Sequence, residues 1–97
     1  MARRFTLVSY DISDDRRRDR VSKVLLGFGD RVQYSVFCCA LSPRERIQLA
    51  DKLRPHINHR EDQILFLDAG PVSGSNPEPE LQTLGKAFQP PTRVQIV

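Results

Sequence analysis

The chain of 97 residues has no tryptophan, one methionine and only two cysteines. No apolar run approaches the roughly 20 residues that a membrane-spanning helix needs. The apolar stretch at residues 5–10 is too short for a signal-peptide core and soon meets Asp11. These absences predict a cytoplasmic protein with no membrane partner. The two cysteines are neighbours, Cys38-Cys39. Neighbours in a strand point to opposite faces, so this pair cannot readily form a disulfide. No further cysteine exists to build a thiolate metal site, and the only histidines, His56 and His59, lie far along the chain. Their spacing could suit a metal, but they read as partners of a helix C-terminus. No glycine-rich phosphate loop and no pair of acids at metal-ligand spacing stands out. Lysine is scarce too: three lysines stand beside twelve arginines, for a net charge of +3. Arginine offers a planar fork that grips phosphate in two places, whereas lysine is a point charge. Codon bias in a GC-rich genome is the alternative source of the arginines.

The length is that of one domain, with a core at about residues 4–70 and a loop and terminal strand at about 71–97. A domain this small has a thin stability margin, which pairing with a second copy would widen. Residues 5–10 are β-branched and aromatic and read as a buried strand. Ser13 offers a helix N-cap, with Asp14 and Asp15 in the first turn, where acids suit the helix dipole. Val21, Val24, Leu25 and Phe28 recur at the spacing of one helix face, and Gly27 and Gly29 end the helix. Residues 32–41 contain no Gly, Pro or Asn and read as one long strand. Ser42-Pro43-Arg44-Glu45 is a capping box with Pro at the first helical position. It opens a second helix expected to turn Ile47, Ala50 and Leu53 inward. Residues 63–68 form a third strand. Residues 70–79 read as loop, Pro90-Pro91 as a break, and residues 92–97 as a short strand that must join the edge of a sheet. The order is βαβαβ plus a tail, or βαββαβ if the long strand is a hairpin.

Chemistry concentrates at Tyr10-Asp11-Ile12-Ser13-Asp14-Asp15-Arg16-Arg17-Arg18-Asp19-Arg20. Asp14 and Asp15 have a structural explanation as first-turn acids. Asp11 precedes the cap and sits where a strand ends, on rigid support and open to a cleft. It is either a functional carboxylate or a turn residue bonding nearby amides. The arginines spread around the helix, so only some can face one ligand, and local Asp–Arg pairs on a solvated face are the alternative. A single carboxylate is a poor site for a divalent metal. A metal nuclease would need the second carboxylate from a second copy, which a two-fold axis beside Asp11 would supply.

Together these residues resemble the small CRISPR-associated family Cas2, the companion of the spacer integrase. The matching pieces are the strand ending in Tyr10-Asp11-Ile12, then Asp14-Asp15, Arg18 and Arg20. Further on come Arg31-Val32-Gln33-Tyr34-Ser35-Val36-Phe37, Leu41 before the capped helix, and the strand over residues 62–67. The resemblance covers about residues 5–70, with a plausible match for the tail.

It implies an α+β, ferredoxin-like βαββαβ sandwich whose long strand splits near Tyr34-Ser35. It implies a homodimer with the two Asp11 residues facing each other, and a C-terminal strand that pairs with the partner's sheet. For function it implies spacer acquisition and antiviral defence. Asp11 would act as the catalytic and metal-binding residue, with Mg²⁺ or another divalent cation, in an endonuclease acting on RNA or DNA. Arg18, Arg20 and Arg31 would bind nucleic acid, and Tyr10 and Phe37 would support the site. The alternative is a non-catalytic dimeric adaptor between the spacer integrase and duplex DNA.

The tail carries a test of its own. An exposed strand edge is an aggregation hazard unless paired. Deleting residues 91–97 is expected to weaken dimerisation or lower solubility, read by sedimentation at micromolar concentration. A truncated chain as dimeric and as soluble as the full one would count against the pairing.

Overall fold

The computed structural model describes residues 2–73, 79 and 81–86. The element order is β1 (Arg4–Asp11), α1 (Asp15–Leu26), β2 (Gly29–Gln33), β3 (Val36–Leu41), α2 (Pro43–Leu53), a 3-10 turn (Arg54–His56) and β4 (Gln63–Pro71). The four strands form one antiparallel sheet in the order β2-β3-β1-β4. This is the expected βαββαβ plan. The predicted tail strand at residues 92–97 lies outside the described residues.

The side-chain alternation of β1 decides which way everything faces. Val8 and Tyr10 point to the helices and join Val21, Leu25, Phe37, Cys39, Leu41, Leu49 and Leu53 in the core. Their neighbours Leu7, Ser9 and Asp11 have the opposite parity and lie on the open face of the sheet. There Leu7 is flanked by Cys38 and Leu67, Ser9 by Val36 and Leu65, and Asp11 by Gln63. Leu65 and Leu67 are more than half exposed, while Leu7, Ser9, Val36 and Cys38 are half-buried, which leaves this face apolar and partly exposed. Phe5, at its far end, is the buried exception. The two cysteines part as their adjacency requires, Cys39 into the core and Cys38 onto the open face.

Four local readings are corrected. The long strand over 32–41 is a hairpin, broken at Tyr34-Ser35. Two-residue hairpins usually need positive φ, which draws Gly or Asn. Among the described residues no non-glycine has positive φ, so this turn leaves no such mark in the sequence. A register shift between Arg31 and Gln33 accommodates it instead.

The cap of α1 is Asp14, not Ser13: its backbone is extended and its carboxylate accepts from the Arg17 amide at 2.9 Å. On α2, Ile47 is exposed, and Leu49 and Leu53 carry the burial. Ile47 and Leu49 stand about 200° apart on a helix, so both cannot face one core. Finally, Gly29 does not end α1 but begins β2. The expected capping box on α2 is present, with Ser42 Oγ accepting from the Glu45 amide and Glu45 accepting from the Ser42 amide.

Gly29 is required by close approach. A Cβ there would stand 2.3 Å from the Cys38 carbonyl oxygen and 2.6 Å from Cys39 Sγ. Gly29→Ala is therefore expected to lower the urea midpoint, at a cost of about 1–3 kcal/mol for overpacking. Gly27→Ala, whose Cβ would meet only the Val24 carbonyl at 3.3 Å, serves as the mild control.

Candidate nucleic-acid interface and metal site

The site end of the molecule is where β1 stops, the β2–β3 turn folds over and α1 begins. Tyr10 ties these pieces together. Its amide donates to the Ser35 carbonyl at 3.0 Å and its hydroxyl to the Tyr34 carbonyl at 3.2 Å. Its ring packs on Phe37 at a centroid distance of 6.3 Å. Arg31 lies over the other member of that pair, 4.9 Å from the Phe37 centroid. From there the guanidinium donates to the Tyr34 carbonyl and to Ser22 Oγ, each at 2.5 Å. Tyr10 and Phe37 thus form the floor on which Arg31 and the turn rest.

Arg18 braces the other side. It donates to the Ile12 carbonyl at 3.0 Å and the Ser13 carbonyl at 3.4 Å, and pairs with Asp15. Ile12 and Ser13 directly follow Asp11, so Arg18 holds the chain as it leaves the strand. Its guanidinium also stands 5.9 Å from the Tyr34 ring centroid. Tyr10, Asp15, Arg18, Asp19, Ser22, Arg31 and Tyr34 line an open cleft of about 250 Å³. Arg18 and Arg31 therefore meet in one cleft. Arg20 and Asp11 do not line it: both are exposed, Arg20 on α1 and Asp11 at the end of the open sheet face.

Asp11 stands apart from the other acids. Asp14 caps α1, Asp15 pairs with Arg18, Asp19 with Lys23, Asp51 with Arg54, Asp62 with Arg17 and Asp68 with Arg4. Glu45 and Glu61 pair with Arg3 and Arg17. Among the described residues, Asp11 is the carboxylate for which the fold supplies no hydrogen-bond or ion-pair partner. A turn residue would bond a nearby amide, and here Asp14 does that work. As a hard oxygen donor, Asp11 suits a divalent cation such as Mg²⁺, which takes one or two carboxylates and fills the rest with water and phosphate oxygens. No group of three or more His, Cys, Asp or Glu side chains at metal-binding distance occurs among the described residues.

The cysteines do not offer a nucleophile. Burial pushes the Cys39 thiol up to about 12, and Cys38 is raised by burial and then by Asp30. Both stay protonated, and the thiolate is the reactive form.

Two side chains have roles that the sequence alone does not assign. Arg17 belongs to the run of arginines yet serves the fold. Its guanidinium clamps Asp62 at 2.7 and 3.1 Å, and Asp62 also accepts from the Asn58 amide at 2.8 Å. Tyr34 reads locally as a strand residue, and the resemblance puts the strand's break beside it, but its side chain is 71% exposed at the turn. A β-prone string with no turn residue gives no local sign of the exposure, and the turn follows from the resemblance alone.

The fold and this strand-end site define a small ferredoxin-like protein with a strand-end acid among arginines. Residues 4–72 match the family model of CRISPR associated protein Cas2, and the chain belongs to that family. It is 38% identical over 91 residues to the CRISPR-associated endoribonuclease Cas2 of Geobacter sulfurreducens, covering 94% of each chain. It superposes on the crystal structure of Streptococcus pyogenes Cas2 with a TM-score of 0.68 at 31% identity, over 84% of this chain and 99% of that one. It also matches a chain in a partial Cas6-RT-Cas1–Cas2 complex, with a TM-score of 0.62 at 30% identity, over 69% and 79% of the two chains. No helix among the described residues is long and apolar enough to cross a membrane.

The Arg17 clamp gives a pH test. The hydrogen bond from Arg17 is the main cause holding the Asp62 carboxyl below its ordinary value of 3.8, with the Asn58 amide adding to it. A carboxyl lowered on folding contributes stability that is complete above its unfolded value and lost as pH falls through the folded one. The unfolding midpoint of the unaltered protein is therefore expected to fall below about pH 3.8. The midpoint of Asp62→Asn should start lower at neutral pH and fall less over the same acid range, followed by circular dichroism. Parallel curves for the two proteins would show that the clamp contributes nothing.

Proposed function

We propose that this chain acts in CRISPR spacer acquisition as a homodimeric, metal-dependent endonuclease, with Asp11 from each copy forming the shared catalytic and metal site. The observation that carries the reading is Asp11, unpartnered among the described residues, at the end of an apolar and partly exposed sheet face. A second copy laid on Leu7, Cys38, Leu65 and Leu67 would bury that face, and in an isologous contact the residues beside the two-fold axis meet their own copies. An axis passing beside Asp11, at the border of this face, would bring the two carboxylates together. The relative from Geobacter sulfurreducens is named an endoribonuclease, which supports cleavage. The solved Cas1–Cas2 complex supports an integrase partner of the Cas1 type.

A divalent cation held there would lower the pKa of its bound water and neutralise charge on a phosphate. The remaining work falls to side chains of this chain. Arg20 is exposed, makes no ion pair among the described residues, and is placed to grip backbone phosphate. Arg18 and Arg31 each keep N–H groups beyond those used in the cleft, and present them to a phosphate in a fixed direction. Tyr10 and Phe37 keep Arg31 and the turn in place.

Asp11→Asn keeps the shape of the side chain and removes its charge, and both carboxylates of the shared site are altered at once. Metal-dependent cleavage of RNA and duplex DNA is expected to fall to background. Metal-free nucleic-acid binding, measured in parallel, should hold or improve, because two like charges near phosphate are gone. Full cleavage by the variant, free of contaminating nuclease, would overturn the assignment. Absence of cleavage by the unaltered protein, with duplex binding retained, would favour the non-catalytic adaptor.

A further inference from the structure

The β2–β3 turn carries an aromatic ring that the core does not use. Tyr34 is 71% exposed, while the other tyrosine, Tyr10, is buried. An isolated exposed tyrosine is ordinary. This one is held by its backbone more firmly than a loop tip needs. Its carbonyl accepts from both Tyr10 Oη and Arg31 Nη1, and the neighbouring Ser35 carbonyl accepts from the Tyr10 amide. The ring is thus presented on a fixed base. Arg18 stands by it as a cation, and the ring forms one wall of the polar cleft that also contains Arg31 and Ser22.

The location gives the ring a use. Ser9 pairs with Val36 across β1 and β3, so the Tyr34-Ser35 turn lies beside Tyr10 and Asp11 at the end of β1. Phosphate-binding arginines, a strand-end acid and a bare aromatic face therefore share one end of the molecule. Every base has a π-face, and stacking on an aromatic side chain beside a guanidinium recognises bases without reading their sequence. A base inside a duplex is already stacked on its neighbours and cannot use such a platform. An unpaired one can.

We propose that Tyr34 is a stacking platform for an unpaired nucleobase. It would give the site a preference for single-stranded or end-frayed nucleic acid over continuous duplex. This inference rests on the nucleic-acid reading given under Proposed function and narrows its substrate class. The anchoring bonds at this turn involve the main chain of Tyr34, so replacing the side chain leaves them available.

The test measures binding in chelator, where no cleavage occurs, to a single-stranded oligonucleotide and to a blunt duplex of equal length. Tyr34→Leu is expected to weaken single-strand binding on the order of tenfold. Its duplex binding should stay within about twofold, and Tyr34→Phe should stay close to the unaltered protein on both probes. An abasic single strand of the same charge, offered to the unaltered protein, should lose about as much as the leucine variant loses. That probe needs no altered protein and stands even if Tyr34→Leu folds poorly.

Equal single-strand affinity for Tyr34→Leu and the unaltered protein overturns the platform alone. So does an abasic strand that binds as well as the normal one. Parallel loss on both probes by a folded Tyr34→Leu assigns the ring to protein–protein contact and overturns the platform as well. An unaltered protein that binds neither oligonucleotide overturns the parent reading and this one together.

Discussion

The double hold of Tyr10 on the β2–β3 turn is the contact on which the rest of the site depends. One residue donates from its amide and its hydroxyl to two successive carbonyls, and its ring supports Phe37. The hydroxyl is buried, and a buried hydroxyl without a partner is costly. The turn therefore folds where it does partly because Tyr10 needs an acceptor there. Once the turn is placed, Arg31 finds the Tyr34 carbonyl and the face of Phe37. The cleft between α1 and the hairpin then has its second wall. The strand that ends in Asp11 is bonded to the turn one residue earlier, so the acid sits on a rigid mount.

The arginines divide by what the fold already asks of them. Arg3, Arg4, Arg17 and Arg54 have carboxylate partners and serve the scaffold. Glu45 shows how strongly such a pair can act, since the hydrogen bond from Arg3 is the main cause that holds its carboxyl at about 2. Arg18 and Arg31 are intermediate, each tied to main-chain carbonyls yet facing an open cleft. Arg16 and Arg20 are exposed and form no ion pair among the described residues. A run that reads in the sequence as one basic patch is, in space, a scaffold clamp, a brace and two free cations. Helical geometry separates them, since neighbours on a helix differ by 100° in direction.

Much of this was legible beforehand. The β-branched and aromatic composition of β1 and the capping box of α2 are local signals, and both appear as expected. Asp11 was separable from Asp14 and Asp15 because it precedes any helical role. What local pattern could not show, the hairpin turn that only the resemblance implied included, was decided by tertiary contact. The hairpin turn carries no glycine because its backbone stays at negative φ, so only the need of Tyr10 for acceptors marks it. The choice of Leu49 over Ile47 depends on which way α2 faces the sheet, and its short apolar pattern allows either. The Arg17–Asp62 clamp joins positions 45 apart in sequence, a pairing that no local pattern announces.

The parity of β1 has a consequence for how the protein can change over time. Leu7, Ser9 and Asp11 share one side of the strand, and Val8 and Tyr10 the other. Inserting or deleting one residue between Leu7 and Asp11 inverts whatever follows. Such a lesion would send the acid toward the core and Tyr10 away from the turn in the same stroke. A lineage could not gradually slide the acid along this strand while keeping the apolar face. The two travel as a linked pair, and indels in β1 would be removed by selection for folding alone, before catalysis was ever tested.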